Sequence, residues 1–197
     1  MNKIAHLKQC IEAIIVKSSV PEDPIHSKDT LRWLLKLDPA ADQALQIAAL
    51  GHDIERAIDS QKIRREDFTD YDDFKAAHAF NSATILKKIM LECGVENPSM
   101  VKRVFALVLR HETGGDPGSD LLKDADSLSY FSVNLPFYYE RNGWEESLRR
   151  CRWGYRRLSA RRKPLLAELR FKDDKINALL GICLEGRELD FRASRPE

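Results

Sequence analysis

Several features that would place a chain in a class at once are missing from these 197 residues. The four cysteines (Cys10, Cys93, Cys151 and Cys183) are scattered, with no Cys-x-x-Cys pair. That argues against a disulfide framework or a cysteine-built zinc site, and for reduced thiols in a cytoplasmic protein. No apolar run approaches the ~20 residues that span a bilayer, so no membrane association is expected. The opening MNKIAHLKQCIEAIIVKSS has charges on both sides of a short apolar stretch and no small-residue cleavage site. It reads as an amphipathic helix, not a signal peptide. Neither sign of charge predominates: 32 basic and 31 acidic residues leave a net +1. There is thus no global pull toward nucleic acid or a lipid surface. Alternating β-branched runs, an Asn-Gly hairpin, internal repeats and low-complexity tracts are also lacking, which excludes the usual signals of a β fold.

What remains is helical periodicity, and with 43% hydrophobic residues the chain can bury a substantial core. The pattern predicts helices over residues 2–18, 23–37, 71–93, 97–112, 119–134 and 173–184, with Pro or Gly near several ends. Asp38-Pro39 predicts the start of another helix, carrying His52 and Asp53. The stretch TGGDPGSD is the clearest loop. The expected fold is all-α: a helical domain over residues 1–140, with its core at about 20–135. A C-terminal helical extension over 141–197 is expected to pack on it.

The stretch LQIAALGHDIERA raises the functional question. Its apolar stripe runs into His52 and Asp53, although an unpaired charge in a core is costly. The same oddity recurs along the chain. His26 shares a helical face with Thr30, Trp33, Leu34 and Leu37, and His78 with Ser82, Ile85, Leu86 and Ile89. His111 follows Val101, Val104, Phe105 and Val108, and Asp126 sits with Leu122, Ala125 and Ser129. Each alone reads as a hydrogen-bonded core residue. Together they are six potential ligands from five predicted helices, and a cation would satisfy all of them. His6 has no comparable partners and reads as a surface or structural histidine.

The order His26, His52-Asp53, His78, His111, Asp126 resembles the HD-domain superfamily of metal-dependent phosphohydrolases, in particular its dinuclear subset. The segments IHSKDTLRWL, AALGHDIE, HAFNSATIL, VLRHETGG and KDADSLSYF carry the resemblance over roughly residues 24–130. It implies that His26, His52, Asp53 and Asp126 hold a first metal and that Asp53 bridges to a second, held by His78 and His111. The cofactors would be two divalent ions, drawn from Fe, Mn, Ni, Co or Mg. Asp124 is left as a partner that orients a histidine, or a surface charge. Several family members carry an acid three residues after the HD aspartate; here that position is Arg56. On a continuous helix Arg56 faces the site and Glu55 points away.

The resemblance implies hydrolysis of a nucleotide or other small phosphate ester by a water or hydroxide shared between two metals. Asp53 and Arg56 are the catalytic candidates. Arg56, Arg64 and Arg65 are the candidate phosphate contacts, with Lys102 and Arg110 weaker. HETGGDPGSD is a candidate rim over the site. Two other classes compete. Mixed-valent di-iron oxygenases share the six-ligand order. The segment RRCRWGYRRLSARRK, between Arg149 and Lys163, could instead bind nucleic acid or an acidic partner, form a homodimer surface, or place arginines near the pocket. A solvated face packing Trp153 and Tyr155 is the plainer alternative, and nucleic-acid binding is not the expectation.

Overall fold

The computed structural model describes residues 2–185. Among these, eight α-helices and no strand occur: α1 (Lys3–Ile15), α2 (Asp23–Leu37), α3 (Gln43–Gly51), α4 (Tyr71–Glu92), α5 (Pro98–Leu109), α6 (Pro117–Ser129), α7 (Leu135–Arg157) and α8 (Asp174–Leu184). The fold is all-α, and no described helix is long and apolar enough to cross a membrane.

Local chemistry explains most of the boundaries. Six helices open on an Asn or Asp whose side chain accepts a backbone N–H of the first turn: Asn2, Asp42, Asp70, Asn97, Asp116 and Asp173. The helix α4 stops where Gly94 takes a left-handed φ of 74°, and Val95 N–H returns to the Met90 carbonyl at 2.9 Å. Asp38-Pro39 does not start α3. Asp38 is the extended C-cap of α2, as a residue before proline prefers, and Asp42 caps α3 instead.

The short α3 is largely apolar, with Leu45, Ile47, Ala48, Ala49 and Leu50 buried, and it is the axis of the core. It packs against α1, α2, α5 and α6, and α4 lies along α5. The helix expected over residues 119–134 does not end at 134, ahead of Pro136. The helix α6 passes through a π-helical turn, Tyr130–Asn134, directly into α7. A proline inside a regular helix clashes with the carbonyl four residues earlier, and the wider turn relieves that crowding. The domain boundary expected at 140/141 therefore falls within α7, close to a kink at Gly143 (φ 73°, ψ −170°). Beyond the kink, α7 turns back and α8 packs on it. Cys151, Leu158, Leu166, Leu179 and Leu180 join the same apolar core as the N-terminal helices. Residues 186–197 lie outside the described chain.

Candidate metal centre

Six side chains converge at one end of α3. His26 comes from α2, His52 and Asp53 follow α3, His78 comes from α4, His111 follows α5, and Asp126 comes from α6. Asp126 Oδ1 lies 3.1 Å from His26 Nε2 and 3.4 Å from His52 Nε2. Asp53 Oδ1 lies 2.9 Å from His78 Nε2, 3.6 Å from His52 Nε2 and 3.7 Å from His111 Nε2. The other Asp53 oxygen lies 3.9 Å from His26 Nε2. Asp53 thus stands between two lobes, one with His26, His52 and Asp126 and one with His78 and His111.

The outer nitrogens fix what the inner ones can do. His52 Nδ1 meets the Ala49 carbonyl at 3.0 Å and His111 Nδ1 the Val108 carbonyl at 2.7 Å. His78 Nδ1 meets Glu55 Oε1 at 2.7 Å. His26 Nδ1 meets Ser129 Oγ at 2.9 Å, and that hydroxyl donates to the His26 carbonyl. Every outer partner accepts, so each neutral imidazole carries its proton on Nδ1 and turns an Nε2 lone pair inward. Four lone pairs and two carboxylates then face one another, with His52 Nε2 and His111 Nε2 buried and making no hydrogen bond. Such an acceptor-only cluster needs protons or cations. Three of its subsets bring ligand atoms within 4.8 Å of one another: His26 with His52 and Asp53, His52 with His111 and Asp126, and Asp53 with His78 and His111. The donor set fits a divalent ion that takes nitrogen and oxygen ligands.

The electrostatics express the same demand. Burial opposes the charge on His52, but the Asp53 and Asp126 carboxylates outweigh it and push its pKa up to about 9. Burial likewise opposes charge on His78, and hydrogen bonds to Asp53 and Glu55 raise it. Asp126 is buried too, yet Arg157, His26 and His52 hold it well below the usual carboxylate range. In Asp53 the burial penalty is overcome by His52, His78 and Arg56, with the same result.

Two surrounding residues were not legible in the sequence. Glu55 was expected to point away, but α3 ends at Gly51 and the chain tightens into a 3-10 turn, Ile54–Ala57. At three residues per turn the helical face shifts, and Glu55 swings inward to hold His78 and the Ile63 N–H. Arg157, from the arginine-rich segment, has a side chain only 9% exposed. It donates to Asp126 Oδ2 at 2.6 Å, to Ser127 Oγ and to the His111 carbonyl, and pairs with Glu112 at 3.1 Å. Glu112 also pairs with Lys75.

Asp124 is neither a surface charge nor a histidine partner. It is fully buried and accepts the Ser159 N–H and hydroxyl at 2.9 and 2.6 Å, tying the end of α7 to α6.

A cavity of about 710 Å³ opens over the cluster. His26, Asp53, His78 and Asp126 form part of its wall, and Arg56, Arg64 and Arg65 line it. Arg56 is not free, because it reaches Asp23 at 2.9 Å and Asp53 at 3.3 Å. Lys102 and Arg110 do not line this cavity. The first borders a separate apolar hollow with Leu91, Val101 and Phe105. The second turns outward to Asp116. Of the HETGGDPGSD segment Glu112 lines the cavity, while the glycines do not: Gly115 N–H is pinned to Asp120, and Lys123 holds the Thr113 carbonyl.

A family model described as Domain of unknown function (DUF4202) matches residues 5–179. Comparisons with curated proteins and with solved structures find no match.

Proposed function

The chain belongs to the DUF4202 family, whose description names no activity, and we propose on the strength of its metal-ready cavity that it is a metal-dependent phosphohydrolase. The observation that carries this reading is the inward convergence of four imidazole lone pairs on two carboxylates. In this reading His26, His52, Asp53 and Asp126 hold one divalent ion, and Asp53, His78 and His111 a second. When bound, such ions supply Lewis acidity and a water whose pKa is brought toward neutrality.

The remaining chemistry belongs to the chain. Glu55 accepts from His78 Nδ1, fixing the ring and raising the basicity of Nε2. Arg157 takes Asp126 Oδ2, so that Oδ1 alone faces His26 and His52. Arg56 leaves the Asp53 carboxylate a charge partner on the open side of the cavity. Lys62, Arg64 and Arg65 border the same space and favour an anionic substrate. The order of the six residues, with its resemblance to the HD superfamily, supports a phosphate ester as that substrate. A nucleotide is the preferred member of the class.

Metal analysis of protein purified without chelator tests this, paired with phosphate release from nucleotides and small phosphate esters. The expected result is about two divalent ions per chain and metal-dependent release of phosphate. Protein that binds no divalent ion overturns the reading. Turnover that needs iron and dioxygen, and stops under anaerobic conditions, replaces hydrolysis with oxygenase chemistry.

A further inference from the structure

The far wall of the cavity is built by the junction of α6 and α7, and three of its polar groups have no work to do inside the protein. Asp126, Tyr130 and Asn134 follow at intervals of four residues and all line the cavity. Tyr130 and Asn134 are 7% and 8% exposed, yet the Tyr130 hydroxyl and Asn134 Oδ1 meet no hydrogen-bonding partner. Arg150 reaches the same wall from beyond the Gly143 kink. Its guanidinium carbon lies 4.1 Å from the Trp153 ring centre and 4.5 Å from that of Tyr130, and its buried Nη1 is also unpartnered.

Buried donors and acceptors without partners are costly, and a charged one more so. The other arginines on this wall are committed: Arg56 to Asp23 and Asp53, Arg141 to Glu22, and Arg157 to Asp126 and Glu112. The carboxylate of Glu146 is taken by Arg149 and Tyr138. Arg150 is different. Stacking on aromatic rings occupies the face of a guanidinium and leaves its in-plane N–H fork for a carboxylate or phosphate.

We propose that Arg150, Tyr130 and Asn134 form a second subsite that binds an additional anionic group of the substrate, with a neighbouring hydroxyl, so that the enzyme selects doubly anionic phosphate esters. This rests on the phosphohydrolase reading for the first anionic group. The π-helical turn contributes by placing Tyr130 and Asn134 one and two turns beyond the aspartate of the metal centre. The fork of Arg150 accepts a phosphate or a carboxylate, and the test separates the two.

Calorimetric titration of the full chain compares alkyl monophosphates with alkanediol bisphosphates and ω-carboxyalkyl phosphates of three to six carbons. In the unaltered protein the best doubly anionic ligand is expected to bind about ten-fold or more tightly than its monophosphate counterpart. Arg150→Gln, which keeps a planar group between the rings, should erase that advantage while leaving monophosphate binding unchanged. Arg149→Gln removes the same charge from an exposed neighbour and should preserve it. Tyr130→Phe should lower affinity for versions of these bisphosphates that carry a hydroxyl beside the second phosphate, titrated alongside, and spare those without. Equal binding of singly and doubly anionic ligands, or an advantage that survives Arg150→Gln, overturns the proposal. If Arg150→Gln does not fold, Arg150→Lys, which keeps the charge but loses the fork, must still reduce the advantage for the idea to stand. Failure of the hydrolase reading looks different: the advantage and its loss in Arg150→Gln are retained, but no phosphate is released from any ligand.

Discussion

His78 Nδ1 is held by Glu55 at 2.7 Å, while its Nε2 faces Asp53 Oδ1 at 2.9 Å. Removing the outer partner frees the ring to rotate and to change tautomer. Glu55→Ala should therefore weaken divalent-ion affinity by about 10–100-fold, read by titration of chelated protein with Mn2+. The two neighbouring aspartates of KDADS give a sharper contrast. Asp126→Ala should weaken metal binding, because Asp126 Oδ1 faces two imidazoles. Asp124→Ala should leave metal content intact but cost about 1–3 kcal/mol of stability, since the Ser159 N–H and hydroxyl lose their partner. Metal loss in Asp124→Ala with retention in Asp126→Ala would reverse the assignment. His52→Ala and Asp53→Ala should lose bound metal and activity together, and full metal content in both would remove these residues from the ligand set.

Among the elements, α7 links the centre to the C-terminal part. Its kink rests on one residue, because the Gly143 backbone (φ 73°, ψ −170°) lies in a region nearly confined to glycine. An added Cβ there meets nothing within 4 Å, so the only penalty is backbone strain. Gly143→Ala should lower stability by about 1–3 kcal/mol. Gly181→Ala, in the middle of α8 with equal open space, should be neutral or stabilising. Urea unfolding followed by circular dichroism measures both, and equal effects would show that the kink carries no strain. The starts of α1, α4, α5 and α8 were legible from sequence because Asx caps are local chemistry. Where α3 ends was not. A heptad-like pattern continued through His52 and Asp53, but Asp53 takes φ −106° and ψ 17°, outside the helix.

For the molecule as a whole, the acceptor-only cluster couples folding to metal and to protons. In chelated protein His52 is pushed up to about 9, because two carboxylates outweigh the burial that opposes its charge. An unperturbed imidazole titrates near ~6.5, so the folded state binds this proton more tightly than the unfolded chain. That contribution is complete below about 6.5 and is lost as pH rises through about 9. The melting temperature of chelated protein should therefore fall across this window. Metal-loaded protein, whose imidazole needs no proton, should lack this decline and melt higher throughout. A flat profile for the chelated protein would show that His52 is not held protonated.

Helical class, most helix starts and the inward placing of His26, His52, Asp53, His78, His111 and Asp126 can be read from local pattern. Period, capping and an inward polar side chain are properties of a single segment. The remaining roles depend on contacts between distant segments. Arg157 and Arg150 look like any other members of a basic run, but they share with Trp153 the face of α7 that lines the cavity, whereas Arg149 on the same segment is exposed and pairs with Glu146. The inward places of Glu55 and Asp124 depend on a local change of helical pitch and on a partner thirty-five residues away in Ser159, neither of which a single segment shows. A polar side chain's role follows from the groups that reach it, and those groups come from other segments of the chain.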